Sequence, residues 1–518
     1  MRRRLIPAQV VALSASGNAP APVAVTARDR ASPRGPGFTA GEGFAGAARP
    51  SAPRLLEAGK VARRGWGLAF VLAAAGFAAC GGGTTTLDGG GQPISSDCAD
   101  LFDQGQVRTY SIDIDATEWQ SLQAEFHNLE ALATGLPFVV YHPVVFHLDG
   151  ETVSNAMIKL HGQSSWMQTV MLDGDRAKMQ FDVAFDKVDP AGKFHGVDKL
   201  VFDMPRSDWT FLHDRLAHAW LRQNGILASC ATSARLVING QYYGLYVVEE
   251  DVGHRVIDKF FPGNSDGDLW EGGEIPETNK MTANPARMDA FWGATDLTAV
   301  SAIVDLPGSM LTWAAEALLN DADGYYGGFH NFLLYDQGQK GLIFLPKDTD
   351  STFDWLAVFD LVGATDHPVF WWEPRAKPAP TPGQHWVIVM SDADQRRKYG
   401  AAIDAQLAKW DVAQIQGWID NWSQQIAADV ASDPHAWATP DNFNMAVSQA
   451  RQIVQSRADY LRTFVSCEQG IGDDVDGDGF RWCDDCRDDD ASVHVGAQEI
   501  CGNGVDDNCN GAVDEGCQ

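Results

Sequence analysis

Asp323, Asn331, Asp348 and Asp350 all fall in one stretch, DGYYGGFHNFLLYDQGQKGLIFLPKDTD, and together offer a set of hard oxygen donors. Between them lie two short apolar runs, FLLY (Phe332 to Tyr335) and LIFLP (Leu342 to Pro346), joined by the turn-forming Asp336-Gln337-Gly338-Gln339-Lys340-Gly341. This pattern predicts a β-hairpin. A hairpin brings its outer ends together, so Asn331 and Asp348 are expected to be spatial neighbours. Oxygen ligands converging in this way suit Mg²⁺ or Mn²⁺; Mg²⁺ in particular binds through one or two carboxylates plus substrate phosphates. Any one of these residues alone reads as a turn residue satisfying local backbone groups, and only the ordered set points to chemistry.

Other motifs surround this stretch in a fixed order. YSIDIDATEWQSL begins at Tyr110, IKLHGQSSW runs from Ile158 to Trp166 and AKMQFDVAFDK from Ala177 to Lys187. INGQYYGLYVVEE spans Ile238 to Glu250, and RADYL spans Arg457 to Leu461. From about Tyr110 to Leu461 the chain resembles the CotH kinase family of secreted atypical protein kinases. Lys159 stands near the family's usual arginine, Lys178 at its lysine and Glu250 on its glutamate.

The resemblance implies ATP-dependent phosphoryl transfer, which needs a cation on the phosphates, bound metal and a base for the incoming hydroxyl. On that reading Lys178 holds phosphate oxygens and Glu250 holds Lys178. Asp323 accepts the substrate proton, while Asn331 and Asp348, with Asp350, ligate Mg²⁺. Neither a Gly-x-x-x-x-Gly-Lys-Ser/Thr loop nor a Gly-x-Gly-x-x-Gly fingerprint is present, so phosphate must be held by other means.

Two positions depart from the family pattern. Lys347 replaces a tryptophan beside Asp348, and His213 stands where an arginine is usual, with Arg215 two residues away as a substitute. An alternative reading is therefore a surface structural or binding protein that keeps the fold without catalysis. A third is transfer to a non-protein hydroxyl.

Composition bounds the rest. The chain has 518 residues, 45% hydrophobic, with 17 Trp, the material of a large core. A net charge of −30 argues against nucleic-acid partners, because phosphate binding relies on a basic face. Residues 1–60 are rich in Ala, Pro, Gly and Arg without apolar periodicity, and read as disordered or as lying upstream of the true start. Residues 61–80 have the layout of a signal peptide: Arg63 and Arg64, an apolar stretch from Trp66 to Ala79 too short to span a bilayer, then Cys80. GFAAC resembles a bacterial lipobox, which implies a lipid anchor on Cys80 after cleavage; Val61 is expected as the true start, because bacterial GTG codons can initiate translation and the signal would then lie at the extreme N-terminus. Residues 81–99 then form a flexible tether.

Eight cysteines remain once Cys80 is set aside, an even number that fits disulfides in an exported chain; Cys98 and Cys230 can pair with each other or with the cluster beyond residue 465. Residues 466–518 carry 15 Asp+Glu against 2 Lys+Arg, with few large apolar residues, so disulfides or metal must replace a core there. Asp474, Asp476 and Asp478 followed by Gly479, with Asp485 twelfth, have the spacing of an EF-hand-type Ca²⁺ loop. Asp506, Asn508 and Asn510 repeat it, with Asp514 ninth but Cys517 twelfth. The segment resembles the Cys-rich metal-binding repeat of bacterial surface proteins.

Lys398 to Val430 and Asn442 to Val465 place apolar residues at three- and four-residue steps and predict amphipathic helices. The Pro-rich Glu373 to Gln384 is expected to line the entrance to the site. The whole reads as an α+β protein: an atypical kinase-like domain at 100–465 with antiparallel strands and a helical C-terminal portion, then a small disulfide- and metal-stabilised module at 466–518. The expected protein is a monomeric bacterial cell-envelope lipoprotein or secreted kinase. It would touch the membrane only through Cys80, bind ATP, Mg²⁺ and, in the tail, Ca²⁺, and act on an exported or surface protein.

Overall fold

The computed structural model describes residue 98 and residues 100–518, except 135–138, 163, 205, 322, 329, 354–382, 471–473, 484, 510–512, 515, 517 and 518. The signal-peptide and lipidation readings, Cys80 included, and the Pro-rich segment up to residue 382 lie outside the described residues.

Seven strands close into a barrel: β1 (Arg108–Ile114), β2 (His142–Leu148), β3 (Glu151–Leu160), β4 (Phe181–Ala184), β5 (Lys199–Asp203), β6 (Ala231–Ile238) and β7 (Gln241–Glu250). Their order is β1-β2-β3-β4-β5-β7-β6, and every pairing is antiparallel except β1 with β6. Alternation along the strands decides which side chains fill the barrel. Ile158, Leu160, Phe181, Val183, Leu200, Phe202, Tyr246 and Val248 are buried in its core. Their sequence neighbours face outward, and the register puts Lys159 opposite Asp182, Asp182 opposite Val201 and Val201 opposite Glu249. A polar row therefore crosses the outside of four adjacent strands.

A second sheet, in the order β11-β10-β8-β9, consists of β8 (Leu269–Glu271), β9 (Ile275–Pro276), β10 (Phe332–Asp336) and β11 (Leu342–Pro346). The predicted hairpin is β10–β11, with Phe332 opposite Pro346. It packs with the helix Leu306–Leu319 and the C-terminal helices into the largest hydrophobic core. The amphipathic stretch from Lys398 to Val430 lies in two helices, Ala393–Leu407 and Val412–Ser432. The break is set by Asp411, whose side chain accepts from Gln414 N as an N-cap. The last helix, Pro440–Glu468, is pinned by the fully buried Arg457, whose Nε donates to Ala317 O at 2.8 Å.

Cys98 pairs with Cys230, Cys467 with Cys483 and Cys486 with Cys509. Cys501 is disulfide-bonded too. The last helix runs past residue 465 and carries Cys467, so the acidic tail is stapled to it, and Cys483 is buried in the main core. Among the described residues no helix is long and apolar enough to cross a membrane.

Candidate active site

The hairpin delivers the expected juxtaposition. Lys347 N donates to Asn331 O at 3.1 Å, continuing the ladder by one step. Beyond it Asn331 Nδ2 donates to Asp348 O at 3.3 Å and to Asp323 Oδ2 at 3.1 Å. Asn331 and Asp348 both have positive φ, 43° and 52°, a left-handed conformation that is uncommon outside glycine and concentrates at functional sites. Three of the four residues first singled out thus meet at one point.

Asp323 reaches that point on a loop leaving the helix Leu306–Leu319. Asn320 ends the helix with φ 60°, and its Nδ2 donates to Phe353 O at 2.7 Å. Asp321 accepts from Asp323 N at 3.2 Å. Burial, with the Asp323 carboxylate beside it, pushes Asp321 up to about 8. On the far side His330 Nδ1 lies 3.6 Å from Asp323 Oδ2, and their pairing raises the imidazole above its ordinary value.

The segment Lys347 to Ser351 is held from below by the helix His213–Gln223. Asp214 Oδ1 accepts from both Thr349 N and Thr349 Oγ1, each at 2.9 Å, and His213 Nδ1 contacts Asp350 O at 2.8 Å. Asp208 accepts from Leu212 N and His213 N, which starts that helix. His213 therefore anchors the backbone of the loop. Arg215 does not substitute for an arginine at the site: it is fully buried, donates to Gln104 O and Oε1 and Ser233 Oγ, and lies over the Trp422 ring. One position along a helix turns a side chain by about 100°, so a residue two away from His213 faces elsewhere.

Around Asp348 gathers a field of carboxylates. Burial and the Asp348 charge push Asp203 up to about 6. Asp348 reaches the surface, yet the protein packed around its carboxyl raises it, helped by Asp323 and opposed by Lys347. Asp350 stands well above the usual carboxylate range through burial and the charges of Asp348 and Asp203, and Glu249 does so through burial and Asp203 and Asp348. No described side chain donates to the Asp348 carboxylate. The oxygen-rich donor set of Asn331, Asp348 and Asp350, with Asp348 open to solvent, fits a hard divalent cation.

Positive charge comes from the polar row on the barrel. His161 Nδ1 lies 2.9 Å from Asp182 Oδ1, and Lys159 Nζ lies 3.0 Å from Asp182 Oδ2. Burial opposes charge on His161, but Asp182 outweighs it and holds the imidazole above its ordinary value. Asp203, at the end of the same outer face, accepts from Gln180 Nε2. A side chain at Gly162 would overlap Gln180 Oε1, and with φ 77° the position calls for glycine twice over.

The expected Lys178–Glu250 pair does not form. Lys178 is fully buried; its Nζ lies 2.7 Å from Asp433 Oδ2, donates to Leu245 O at 2.5 Å and sits 4.4 Å from the Tyr246 ring centroid. Gly244 makes room for this pair, since a Cβ there would lie 2.7 Å from the ammonium. Glu250 instead pairs with Arg255 and, at 3.9 Å, Lys259. Strand parity is the reason: Glu250 lies one residue past Glu249 and takes the opposite face of β7, so it is Glu249 that joins the Asp348 cluster. Lys347 pairs with Glu271 of β8.

Asp203, Asp214, Glu249, His161 and His330 were missed from the sequence. Period-two alternation through FDVA, KLVFD and YVVEE was the signal that could have found Glu249 and Asp203; nothing local marks Asp214, whose role depends on a contact with Thr349 across the fold.

In the tail, Asp474, Asp476 and Asp478 place carboxylate oxygens within 4.8 Å of one another. Asp474 accepts from Gly477 N and Gly479 N, closing the loop. One oxygen each of Asp476, Asp478 and the buried Asp485 is without a hydrogen-bond partner. Burial, with Asp478 and Asp476 near, lifts Asp485 to about 6, and Asp488 is raised by burial and by the same loop. Asp488 was not anticipated. In the second loop Asp514 spends both oxygens on Gly502 N and Gly504 N, and Glu499 accepts from Asn508 N and Asp514 N. Asp506 and Asn508 lie in this turn, and Asn510 lies outside the described residues. Among the described residues this loop gathers no comparable set.

Comparison with known families follows these divisions. The Cu-binding MopE metal-binding motif matches residues 485–515, leaving the Asp474–Asp478 loop just outside. No curated protein matches significantly. A disulfide-rich tail of this type is the equipment of an extracellular or surface protein. The CotH kinase protein model matches residues 158–296 and 298–461, more than half of the chain, and takes in the barrel from the end of β3 onward, the hairpin and the helices behind it; the chain belongs to the CotH kinase family.

Proposed function

We propose that this protein transfers the γ-phosphate of ATP to a hydroxyl side chain of an exported or surface protein. The observation that carries the reading is the meeting of Asp323, Asn331 and Asp348 at the mouth of the hairpin. Mg²⁺ or Mn²⁺ held by Asn331, Asp348 and Asp350 would neutralise phosphate charge and fix its orientation. Asp323, oriented by Asn331 and His330, accepts the proton of the incoming hydroxyl. His161, Lys159 and Lys347 supply positive charge beside the carboxylates, in place of the buried Lys178. Because Lys347 is drawn to Glu271, it leaves the Asp348 carboxylate open for metal, which supports the catalytic reading over that of a silent surface protein.

The acidic tail is proposed to bind Ca²⁺ at Asp474, Asp476, Asp478 and Asp485, since an all-oxygen set favours a hard cation over copper. Anchoring through a lipid on Cys80 is proposed on the signal-peptide layout alone. The test of the kinase reading is transfer of labelled γ-phosphate from ATP with Mg²⁺ or Mn²⁺, to the chain itself and to a panel of surface proteins. Labelling in wild type and its loss in Asp323→Asn support the reading; absence of transfer and of any ATP-binding heat overturns it.

A further inference from the structure

One group of buried polar atoms adjoins the site just described but is not among the groups assigned there to Mg²⁺ or to the proton of the hydroxyl. Asp214 and His218 lie one turn apart on the helix His213–Gln223, and Glu249 faces them from β7. Each offers a ligand atom, and the three atoms lie within 4.8 Å of one another. Asp214 is 2% exposed and His218 5%. Asp214 Oδ2, His218 Nδ1 and Glu249 Oε1 have no hydrogen-bond partner.

Three unsatisfied polar atoms turned toward one another in a buried place are costly, and more so where they carry charge. A proton shared between His218 and Glu249 does not solve the problem. His218 Nδ1 is 3.7 Å from Glu249 Oε1, too far for a hydrogen bond. That separation is close to the edge of a tetrahedron around zinc, roughly 3.4 Å for ligands about 2.1 Å from the ion. Burial, with Arg222 nearby, pushes His218 down to about 3, so the ring is neutral, the form in which imidazole ligates metal.

We propose that Asp214, His218 and Glu249 form a buried site for a divalent transition-metal ion of the zinc class, separate from the Asn331–Asp348 site. An imidazole nitrogen with two carboxylates suits Zn²⁺ better than Mg²⁺, which prefers oxygen alone. Asp214 would be shared: Oδ1 holds Thr349 N and Oγ1, and Oδ2 binds the ion. The ion would then fix the helix, β7 and the Lys347–Ser351 segment relative to one another. The proposal does not rest on phosphoryl transfer.

The test is metal stoichiometry on the full chain after chelation, by equilibrium dialysis against Zn²⁺ with excess Mg²⁺ and Ca²⁺ to fill the oxygen-only sites. Wild type is expected to retain one equivalent more than His218→Phe or Glu249→Gln, while Asp348→Asn keeps the full number. Co²⁺ loaded in place of Zn²⁺ should give the visible absorption of a low-symmetry nitrogen–oxygen site, absent in His218→Phe. Circular dichroism checks that each variant is folded; if His218→Phe is not, the Glu249→Gln difference and the wild-type Co²⁺ spectrum decide. Equal Zn²⁺ retention by wild type and folded variants, or a wild-type Co²⁺ spectrum of oxygen-only coordination, overturns the proposal.

Discussion

Lys178 and Asp433 are joined as a fully buried ion pair, Nζ to Oδ2 at 2.7 Å, across a separation of more than two hundred residues. Asp433 also accepts from Leu245 N at 2.8 Å and His435 N at 2.7 Å, so the pair stitches the connection between the last two helices to β7. Burial lowers the Lys178 ammonium from its ordinary value against the pull of Asp433. Its weight falls on folding, where a surface lysine would contribute little.

Removing one partner of such a pair leaves an uncompensated buried charge, at a cost of about 3–5 kcal/mol. Lys178→Ala is therefore expected to lower the urea midpoint severely. Lys178→Met combined with Asp433→Asn should recover much of the loss. A small effect of the single change, measured by chemical denaturation, contradicts a structural role and returns Lys178 to the candidates for phosphate binding.

At the site itself, Asp348→Asn should abolish metal-dependent nucleotide binding, because the substitution removes the open carboxylate while keeping the local shape. Asp323→Asn should bind nucleotide and lose transfer by a factor on the order of 10² or more. Glu250→Gln should leave transfer nearly unchanged, since Glu250 faces Arg255, whereas Glu249→Gln should reduce it. Calorimetry with ATP and Mg²⁺ separates binding from transfer. Equal transfer rates in all of these proteins and wild type would be incompatible with the assigned roles.

Sequence patterns reached the hairpin because its signal is local: two apolar runs, a turn, and side chains at the ends whose meeting is dictated by antiparallel pairing. The meeting of Asn331 and Asp348 follows from that alone. Lys178 and Glu250 failed for a different reason. Their roles depend on which face of a strand or loop turns outward and on what arrives from distant chain. Asp433 lies in a connection between helices that no local pattern joins to residue 178, and a one-residue step in β7 exchanges Glu250 for Glu249. The barrel's closure through the parallel β1–β6 pairing was equally invisible, as it joins segments with two hairpins between them.

Asp203 gives the apo protein a defined pH response. Its carboxyl stands at about 6 in the folded chain, raised by burial and Asp348, against an ordinary value of 3.8. Between those values the folded state binds more protons than the unfolded, so this group's contribution to stability is full below about 4 and lost as pH rises through 6. Without divalent cation, Asp203→Asn should therefore gain on wild type by on the order of 1 kcal/mol between pH 4.5 and pH 7.5. Denaturant melts at the two pH values check this. Metal at Asp348 would offset the same repulsion, so Mg²⁺ should narrow the difference at the higher pH.

The tail depends on cations at one loop and on disulfides for its frame. Asp474, Asp476 and Asp478 crowd together with Asp485 and Asp488, and like charges so placed repel unless a cation joins them. The Cys467–Cys483 and Cys486–Cys509 bonds hold the ends while the loop between them stays open to solvent. Chelation alone should thus open the Asp474–Asp478 loop to protease while the last helix and the barrel stay intact. Reductant added to chelator should release the whole tail beyond Glu468. Asp476→Asn with Asp478→Asn should weaken Ca²⁺ protection by about tenfold or more, as the ligand charge count falls. Proteolysis followed by mass spectrometry reads the cut sites directly; cleavage at the loop that is indifferent to Ca²⁺ would mean that its carboxylates do no more than accept backbone N–H groups in successive turns.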